Sequence, residues 1–133
     1  MTREEAVQAI YSRVVDNWSG TFTFENEQFT PPTGRWQRFT IRHGTSRQET
    51  LGAIGNRRFN RSFRLMVQFF DAPNAGRAGL DADSMAVQAL FEGVSFGGGV
   101  NMVGESPIQE LGVDATGRAQ FFMEARGFYE EVR

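Results

Sequence analysis

The chain contains no cysteine, no lysine and only one histidine, His43. Without cysteine it can form neither a disulfide nor a thiolate metal site. With no lysine and no second histidine, a serine nucleophile would have to use His43 as its base, and nitrogen or sulfur ligands for a metal are missing. We therefore expect no enzymatic activity, no catalytic residue, no metal and no cofactor.

The sequence also lacks a long hydrophobic run. A membrane-spanning helix needs about 18 or more consecutive apolar residues, and no stretch approaches that length. The first residues, MTREEAVQ, do not have the layout of a signal peptide. We expect no membrane association, synthesis and folding in the cytoplasm, and one domain over residues 1–133.

Aromatic residues and arginine are abundant instead. The chain has 13 phenylalanines and two tryptophans, and all 14 of its basic residues are arginine. Aromatic side chains bury large areas in cores and interfaces, and arginine is tolerated at interfaces better than lysine. This composition favours an oligomer.

The charges are unevenly distributed along the chain. Residues 1–34 contain five acids and two arginines, a net charge of −3. Residues 35–64 contain eight arginines and one acid, a net charge of +7, and residues 65–133 contain ten acids and four arginines, a net charge of −6. A basic middle between acidic flanks suits a protein whose copies meet through unlike surfaces.

Two amphipathic helices are predicted from apolar residues at helical spacing. The first runs from about Arg3 to Asn17, and Thr2 with Glu5 has the spacing of a capping box. The second runs from about Ala78 to Glu92, and its alanine-rich flank can pack closely on a sheet.

The longest predicted strand lies within Asn56–Pro73, where apolar and polar residues alternate from Phe59 to Phe70. Twelve such residues would span about 40 Å at about 3.3 Å each. Its arginine-rich first half should therefore project beyond the domain. The preceding Gly44–Asn56 segment, with three glycines, is predicted to be a flexible excursion that joins this strand to the one before it.

Shorter alternating segments complete the predicted sheet. They lie at Thr21–Glu25, Trp36–His43, Val100–Val103, Ile108–Val113 and Arg118–Tyr129. We expect an α+β fold with a mixed, mainly antiparallel sheet, two helices on one face and a long projecting β-hairpin.

The arginine-rich band has three interpretations. Its eight arginines could neutralise the phosphates of a nucleic acid, cover a solvated strand face, or form a protein–protein interface, where arginine is enriched. Two observations argue against nucleic-acid binding: the isoelectric point is about 5.4, and no recognition helix or aromatic RNA-binding motif is evident. The arginines are Arg35, Arg38, Arg42, Arg47, Arg57, Arg58, Arg61 and Arg64.

Over about residues 1–95 the chain resembles the tail terminator-like proteins of long-tailed bacteriophages. The resemblance consists of an ordered set: an initial helix, an N-x-x-F-x-P-P-x-G-x-(aromatic) segment, a Gln…Leu-Gly loop, and a strand-to-helix corner with aromatics, proline and glycine. These motifs correspond to Asn26, Phe29, Pro31, Pro32, Gly34 and Trp36; to Gln48, Leu51 and Gly52; and to Val67, Phe69, Phe70, Pro73 and Gly76. The corner departs from the family pattern in register, and the C-terminal third resembles the family only in its strand pattern.

The resemblance implies a virion protein that forms a ring, usually of six copies, at the head-proximal end of the tail. Such a ring ends polymerisation of the tail tube and offers a docking surface to the head–tail connector or stopper protein, while DNA passes through its lumen without sequence-specific binding. A neighbouring neck protein, a tail-tube subunit or an arginine-dependent nucleic-acid-binding module are the alternatives. The predicted subunit or ring interface comprises Arg42, Arg47, Gln48, Glu49, Leu51, Arg57, Arg58, Arg61 and Arg64.

Overall fold

The structure, a computed structural model, describes residues 1–133 as two helices and seven strands. Neither helix has the length and apolar character that crossing a membrane requires. The elements in chain order are α1 (Arg3–Asn17), β1 (Phe22–Phe24), β2 (Trp36–Gln48), β3 (Arg58–Asp71), α2 (Ala78–Phe91), β4 (Ser95–Phe96), β5 (Val100–Val103), β6 (Ile108–Val113) and β7 (Ala119–Val132).

All seven strands belong to one sheet: six follow the order β1-β2-β3-β7-β5-β4, and β6 pairs with β7 outside this order. Strand β1 runs parallel to β2, and every other pairing is antiparallel. Strand β7 carries β6 along its first half and β5 along its second half, on the edge opposite β3. The mixed, mainly antiparallel α+β fold predicted from the sequence is confirmed.

Both helices cover the same face of the sheet. The odd-numbered residues of β3, from Phe63 to Phe69, are at most 2% exposed and belong to one cluster of 19 buried hydrophobic residues. Ile10 of α1 and Val87 of α2 belong to the same cluster. The arginine Arg13 also links the helices, since its Nε donates to the carbonyl of Leu90 at 2.8 Å.

Local signals placed the helices accurately. The Thr2 hydroxyl accepts from the Glu5 amide at 3.2 Å, and the Glu5 carboxylate accepts from the Thr2 amide at 2.7 Å. This reciprocal pair satisfies two amides that the first turn leaves unbonded. Helix α1 has the predicted bounds, and α2 ends at Phe91, one residue before the predicted end.

Strand β2 is longer than its sequence pattern indicates. It continues past His43 to Gln48, so the predicted flexible segment 44–56 is strand in its first five residues. The pairing with β3 shifts between His43 and Ser46. Such a bulge inserts one unpaired residue and breaks the alternation on which the prediction relied. The two-residue β4 was also missed, because so short a strand has no readable period.

The projecting hairpin has a third strand along it. Strand β7 pairs with β3 in register over the whole of both strands, from Asp71↔Ala119 to Arg58↔Val132. Beyond the ladder, Arg57 and Arg133 exchange two backbone hydrogen bonds of 3.1 and 2.8 Å. The predicted hairpin is therefore part of a three-stranded ribbon, which is stiffer than two strands alone.

The second face of the sheet is covered only at one end. There Phe29, from the proline-containing connection, packs on Trp36 with ring centroids 5.0 Å apart, and Trp36 stacks on Phe70 at 4.3 Å. The Arg118 guanidinium holds the connection by donating to the Pro32 and Gly34 carbonyls. No helix covers the rest of this face, which we call the open face.

We predict that Gly127→Ala lowers the free energy of unfolding by about 1–3 kcal/mol, as expected for overpacking. An added Cβ at Gly127 would lie 2.5 Å from Phe63 Cζ and 2.9 Å from the Asn101 carbonyl oxygen. Gly34→Ala is the matched control, because nothing lies within 4 Å of its added Cβ. Urea unfolding of both variants measures the difference, and equal stabilities would contradict the packing described here.

Candidate protein-interaction site

Three arginines lie side by side on the open face. Arg42 of β2 is paired in register with Arg64 of β3, and Arg64 with Arg126 of β7. Residues directly opposite on antiparallel strands have Cβ atoms about 4.5–5.5 Å apart, so the three side chains are neighbours. We call Arg42, Arg64 and Arg126 the arginine row.

Only two carboxylates of the chain lie within 4 Å of these guanidinium groups, although Glu105 borders the same depression as Glu124 and Arg126. Glu124 lies 3.6 Å from Arg64 Nη1 and 3.8 Å from Arg126 Nε, and Glu25 pairs with Arg42. Both Glu124 distances exceed that of a normal charge-assisted hydrogen bond. Three guanidinium groups against two carboxylates leave a net positive charge, and each of the three arginine side chains is more than half exposed.

Apolar side chains surround the arginine row. Met66 and Phe122 lie on one side of the row and Phe128 lies on the other, and all three are partly buried. Val103 of β5 is paired with Arg126 and is 44% exposed. Arginine, methionine and aromatic residues are enriched at protein–protein interfaces. The open face therefore has the composition of an interface and no covering element in its own chain.

The residues predicted as an interface are distributed over two faces and a tip. Arg42 and Arg64 belong to the arginine row, and Arg47, which is paired with Asn60, and Arg58 lie on the same open face. Gln48, Glu49 and Leu51 lie at or near the 49–57 connection at the tip of the ribbon. Leu51 and Ile54 are 96% and 87% exposed there.

Arg61 does not take part in this surface. It lies on the helix side of β3, where its Nη2 donates to Glu131 at 2.9 Å, and only 20% of its side chain is exposed. Its guanidinium also lies 4.7 Å from the Phe59 ring centroid. Arg57 is likewise turned away, with its Nε 3.4 Å from the Arg133 carbonyl oxygen. Arg61 and Arg64 therefore lie on opposite faces of the sheet, so the predicted interface would have to draw on both faces.

A cleft of about 1020 Å³ lies on the helix side, between the start of α1, the β2–β3 ribbon and the end of β7. His43 lines it, 6.5 Å from the Phe63 ring and 6.2 Å from the Tyr129 ring between centroids. Burial lowers the pKa of His43, and the positive charge of Arg3 lowers it further, while Glu25 acts in the opposite direction. A neutral imidazole is thus part of the packing of this cleft.

Two residue patterns that elsewhere accompany chemical sites occur in the chain, and each has a structural explanation. Gly93–Gly97 has the G-x-S-x-G pattern, but Ser95 follows a helix on edge strand β4, and its hydroxyl donates to the Asn101 amide oxygen at 2.8 Å. A nucleophile elbow requires a strand-to-helix turn instead. Asp81 pairs with Arg77 at 3.0 Å, and Asp83 accepts from Gln37 at 2.9 Å. The structure brings no three potential metal ligands together.

Arg126 and Glu124 were missed because their partners are distant in sequence. Their alternation along the last strand is visible in the sequence, but only the register of β7 against β3 places them beside Arg64. A glutamate followed at two residues' distance by an arginine on a half-apolar strand was the available signal. It does not by itself identify a partner strand.

No protein-family model and no curated protein matches the chain. Seven chains of solved structures match its fold. One of them covers 100% of this chain and 99% of its own length at 16% identity, with a TM-score of 0.77, and its name states no function. At this identity the likeness shows the fold alone.

We predict that the chain loses stability as the pH falls below about 6.5, through the protonation of His43. The unfolded chain takes up this proton near pH 6.5, whereas the folded state, with its lowered pKa, takes it up at a lower pH. Between these values the unfolded state binds more protons, so acidification favours unfolding.

His43→Gln removes this contribution and leaves the carboxylates unchanged. Urea unfolding between pH 7.5 and pH 5.5 (conditions chosen around the ordinary imidazole value) should show a steeper decline for the wild type than for the variant. Parallel curves would contradict the assignment of a neutral His43 to the folded state.

Proposed function

We propose that this protein forms a ring at the head-proximal end of the tail of a phage or phage-like particle. There it ends polymerisation of the tail tube and provides the docking surface for the head–tail connector or stopper protein. The observation that carries this proposal is the open face, where a rigid three-stranded ribbon presents the arginine row without a covering element.

Ring formation needs one surface of each copy to fit a different surface of the next. The basic open face meets this requirement because the chain also has acidic segments, with net charges of −3 over residues 1–34 and −6 over residues 65–133. Opposite charges steer such contacts and fix their register. We propose a hexamer, as the resemblance to terminator-like proteins implies.

Two of the three family-like motifs occupy constrained positions in the fold, which supports the resemblance. Phe29 and Trp36 close one end of the open face, with their ring centroids 5.0 Å apart. Gly76, at the strand-to-helix corner, has φ +77°, and Asn74 has φ +62°. Glycine adopts this left-handed conformation without the steric cost that other residues meet.

The tip of the ribbon is suited to contact a second virion protein. Leu51 and Ile54 expose nearly all of their surface on a connection that extends past the last ladder pair. Burying such side chains in a partner is worth about 1.5–3 kcal/mol each. We propose that this tip binds the tail tube or the connector, while DNA passes through the lumen without sequence-specific contacts.

This assignment places the protein in the virion, in the tail or neck, after assembly in the host cytoplasm. It involves no membrane, cofactor, metal or enzymatic step. A tube subunit or stopper on the same fold is the second candidate; a tube subunit would polymerise into long cylinders, whereas a terminator stops as a single ring. Electron microscopy of the purified protein separates these two outcomes.

A nucleic-acid-binding module is the third candidate, because guanidinium groups also bind phosphates. Binding of a DNA duplex that falls steeply with salt would support it. Absence of binding at low salt would remove it.

We predict that the wild-type protein caps tail tubes. The double variant Leu51→Ser with Ile54→Ser should still form the ring, but it should bind tail tubes or the connector at least tenfold more weakly. The loss follows from the apolar area that the two side chains would bury, since about 1.4 kcal/mol corresponds to tenfold in affinity. Met85→Ser is the control, because Met85 is 65% exposed on α2, away from the tip.

The measurements are sedimentation with each partner and tube lengths in negative-stain micrographs. Tubes that grow equally long with and without the wild-type protein would overturn the proposed function. Unchanged binding of the double variant to both partners would overturn only the role of the tip.

A further inference from the structure

The arginine row is electrostatically incomplete within one copy. Like charges directly opposite on neighbouring strands destabilise a sheet, and here Arg42, Arg64 and Arg126 occupy three successive strands at one level. Glu124 is shared between two of them at 3.6 and 3.8 Å. Additional carboxylates at this surface would relieve the repulsion and fill guanidinium donors that the chain leaves free.

An acidic surface lies on the opposite layer of the molecule. Helix α1 packs on the helix side of the sheet, and its outer surface carries Glu4 and Asp16, both exposed and neither in an ion pair. The two residues line a groove of about 620 Å³ that lies between α1 and the Phe96–Gly97 turn. We call this surface the α1 acidic face.

The only basic residue in that groove is already engaged. Arg13 donates to the Leu90 carbonyl at 2.8 Å, and its guanidinium lies 5.1 Å from the Phe96 ring centroid. Arg13 therefore forms no ion pair with Glu4 or Asp16, although Arg3 and Arg57 border the cleft that Glu4 also lines. Val15, 60% exposed on the same helix, is available to meet the apolar rim that Val103 and Phe128 form around the arginine row.

We propose that the arginine row of one copy binds the α1 acidic face of the next copy. This inference rests on the proposed ring and names its subunit contact. Because the two surfaces lie on opposite layers of one molecule, each copy can use both at once. The contact is thus heterologous, as a ring requires, and a two-fold dimer would not need it.

The contact should be sensitive to salt. Raising the ionic strength from 0.15 M to 1 M shortens the Debye length from about 8 Å to about 3 Å, which weakens attraction between exposed charges. We expect the wild-type oligomer to dissociate at least tenfold more readily at the higher salt. An oligomer that is indifferent to salt would contradict a contact built on these charges.

The decisive experiment reverses charge on each surface and then on both. The row variant is Arg64→Glu with Arg126→Glu, the helix variant is Glu4→Arg with Asp16→Arg, and the swap variant carries all four changes. We expect each reversed surface alone to weaken self-association at least tenfold. The swap variant should recover it, because a reversed row again faces a helix of opposite charge.

Analytical ultracentrifugation measures the oligomer, and circular dichroism with urea unfolding establishes that each variant is folded. Glu27→Arg with Arg133→Glu is the control for the swap variant, since it likewise leaves the net charge unchanged while it reverses one acid and one arginine at exposed positions outside both surfaces. The control should assemble like the wild type.

The outcomes separate this inference from the proposed function. Rings that persist in both single-surface variants, or a swap variant that stays dissociated, overturn the inference and leave the tail role standing. Wild-type rings that fail to stop tube growth overturn the tail role and leave the contact standing. A wild-type chain that stays monomeric, or that binds DNA rather than itself through the row, overturns the inference.

Discussion

The structure depends on the pairing of β3 with a full-length neighbour on each side. Fourteen residues of β3 are matched by fourteen of β7, and β2 follows the other edge from Trp36 to the bulge and beyond. Because side chains alternate, a shift of one residue would turn the apolar set outward and the arginines into the core. Burial of Phe63, Leu65, Val67 and Phe69 therefore fixes the register, and that register places the arginine row on the open face.

How much of this could be predicted depends on whether a feature is local. The capping pair of Thr2 and Glu5 and the alternation in β3 need only nearby residues, and both were found in the sequence. The extension of β2 was hidden by its bulge, where the period of two is interrupted. The location of Arg61 and Arg64 on opposite faces of the sheet could have been predicted from the sequence, because odd and even positions of a strand face opposite sides. The partner that holds Arg61, Glu131, lies 70 residues away, and no local pattern indicates it.

The two faces of the sheet show why basic residues in one segment have different roles. Arg61, with a fifth of its side chain exposed, is held by Glu131 and packs over an aromatic ring; it stabilises the ribbon. Arg64, three residues further along the same strand, points to solvent and shares a carboxylate with Arg126. A charge count over residues 35–64 treats these residues as equivalent. Only the alternation of the strand distinguishes a structural arginine from one that is free to bind a partner.

The arginine row also limits which partners are consistent with the whole chain. A nucleic acid would be attracted to the row but repelled by the acids on the rest of a surface whose net charge is −2, and phosphate binding gains from many contacts at once. A protein partner needs only a few carboxylates placed opposite the arginine row. The chain itself carries such an acidic surface on α1, on the opposite layer of the molecule. Solvent-exposed ion pairs contribute little individually, so in the proposed contact the apolar rim around the row would supply part of the affinity. Charge would then set which surfaces meet and in which register, while burial of the rim holds them together.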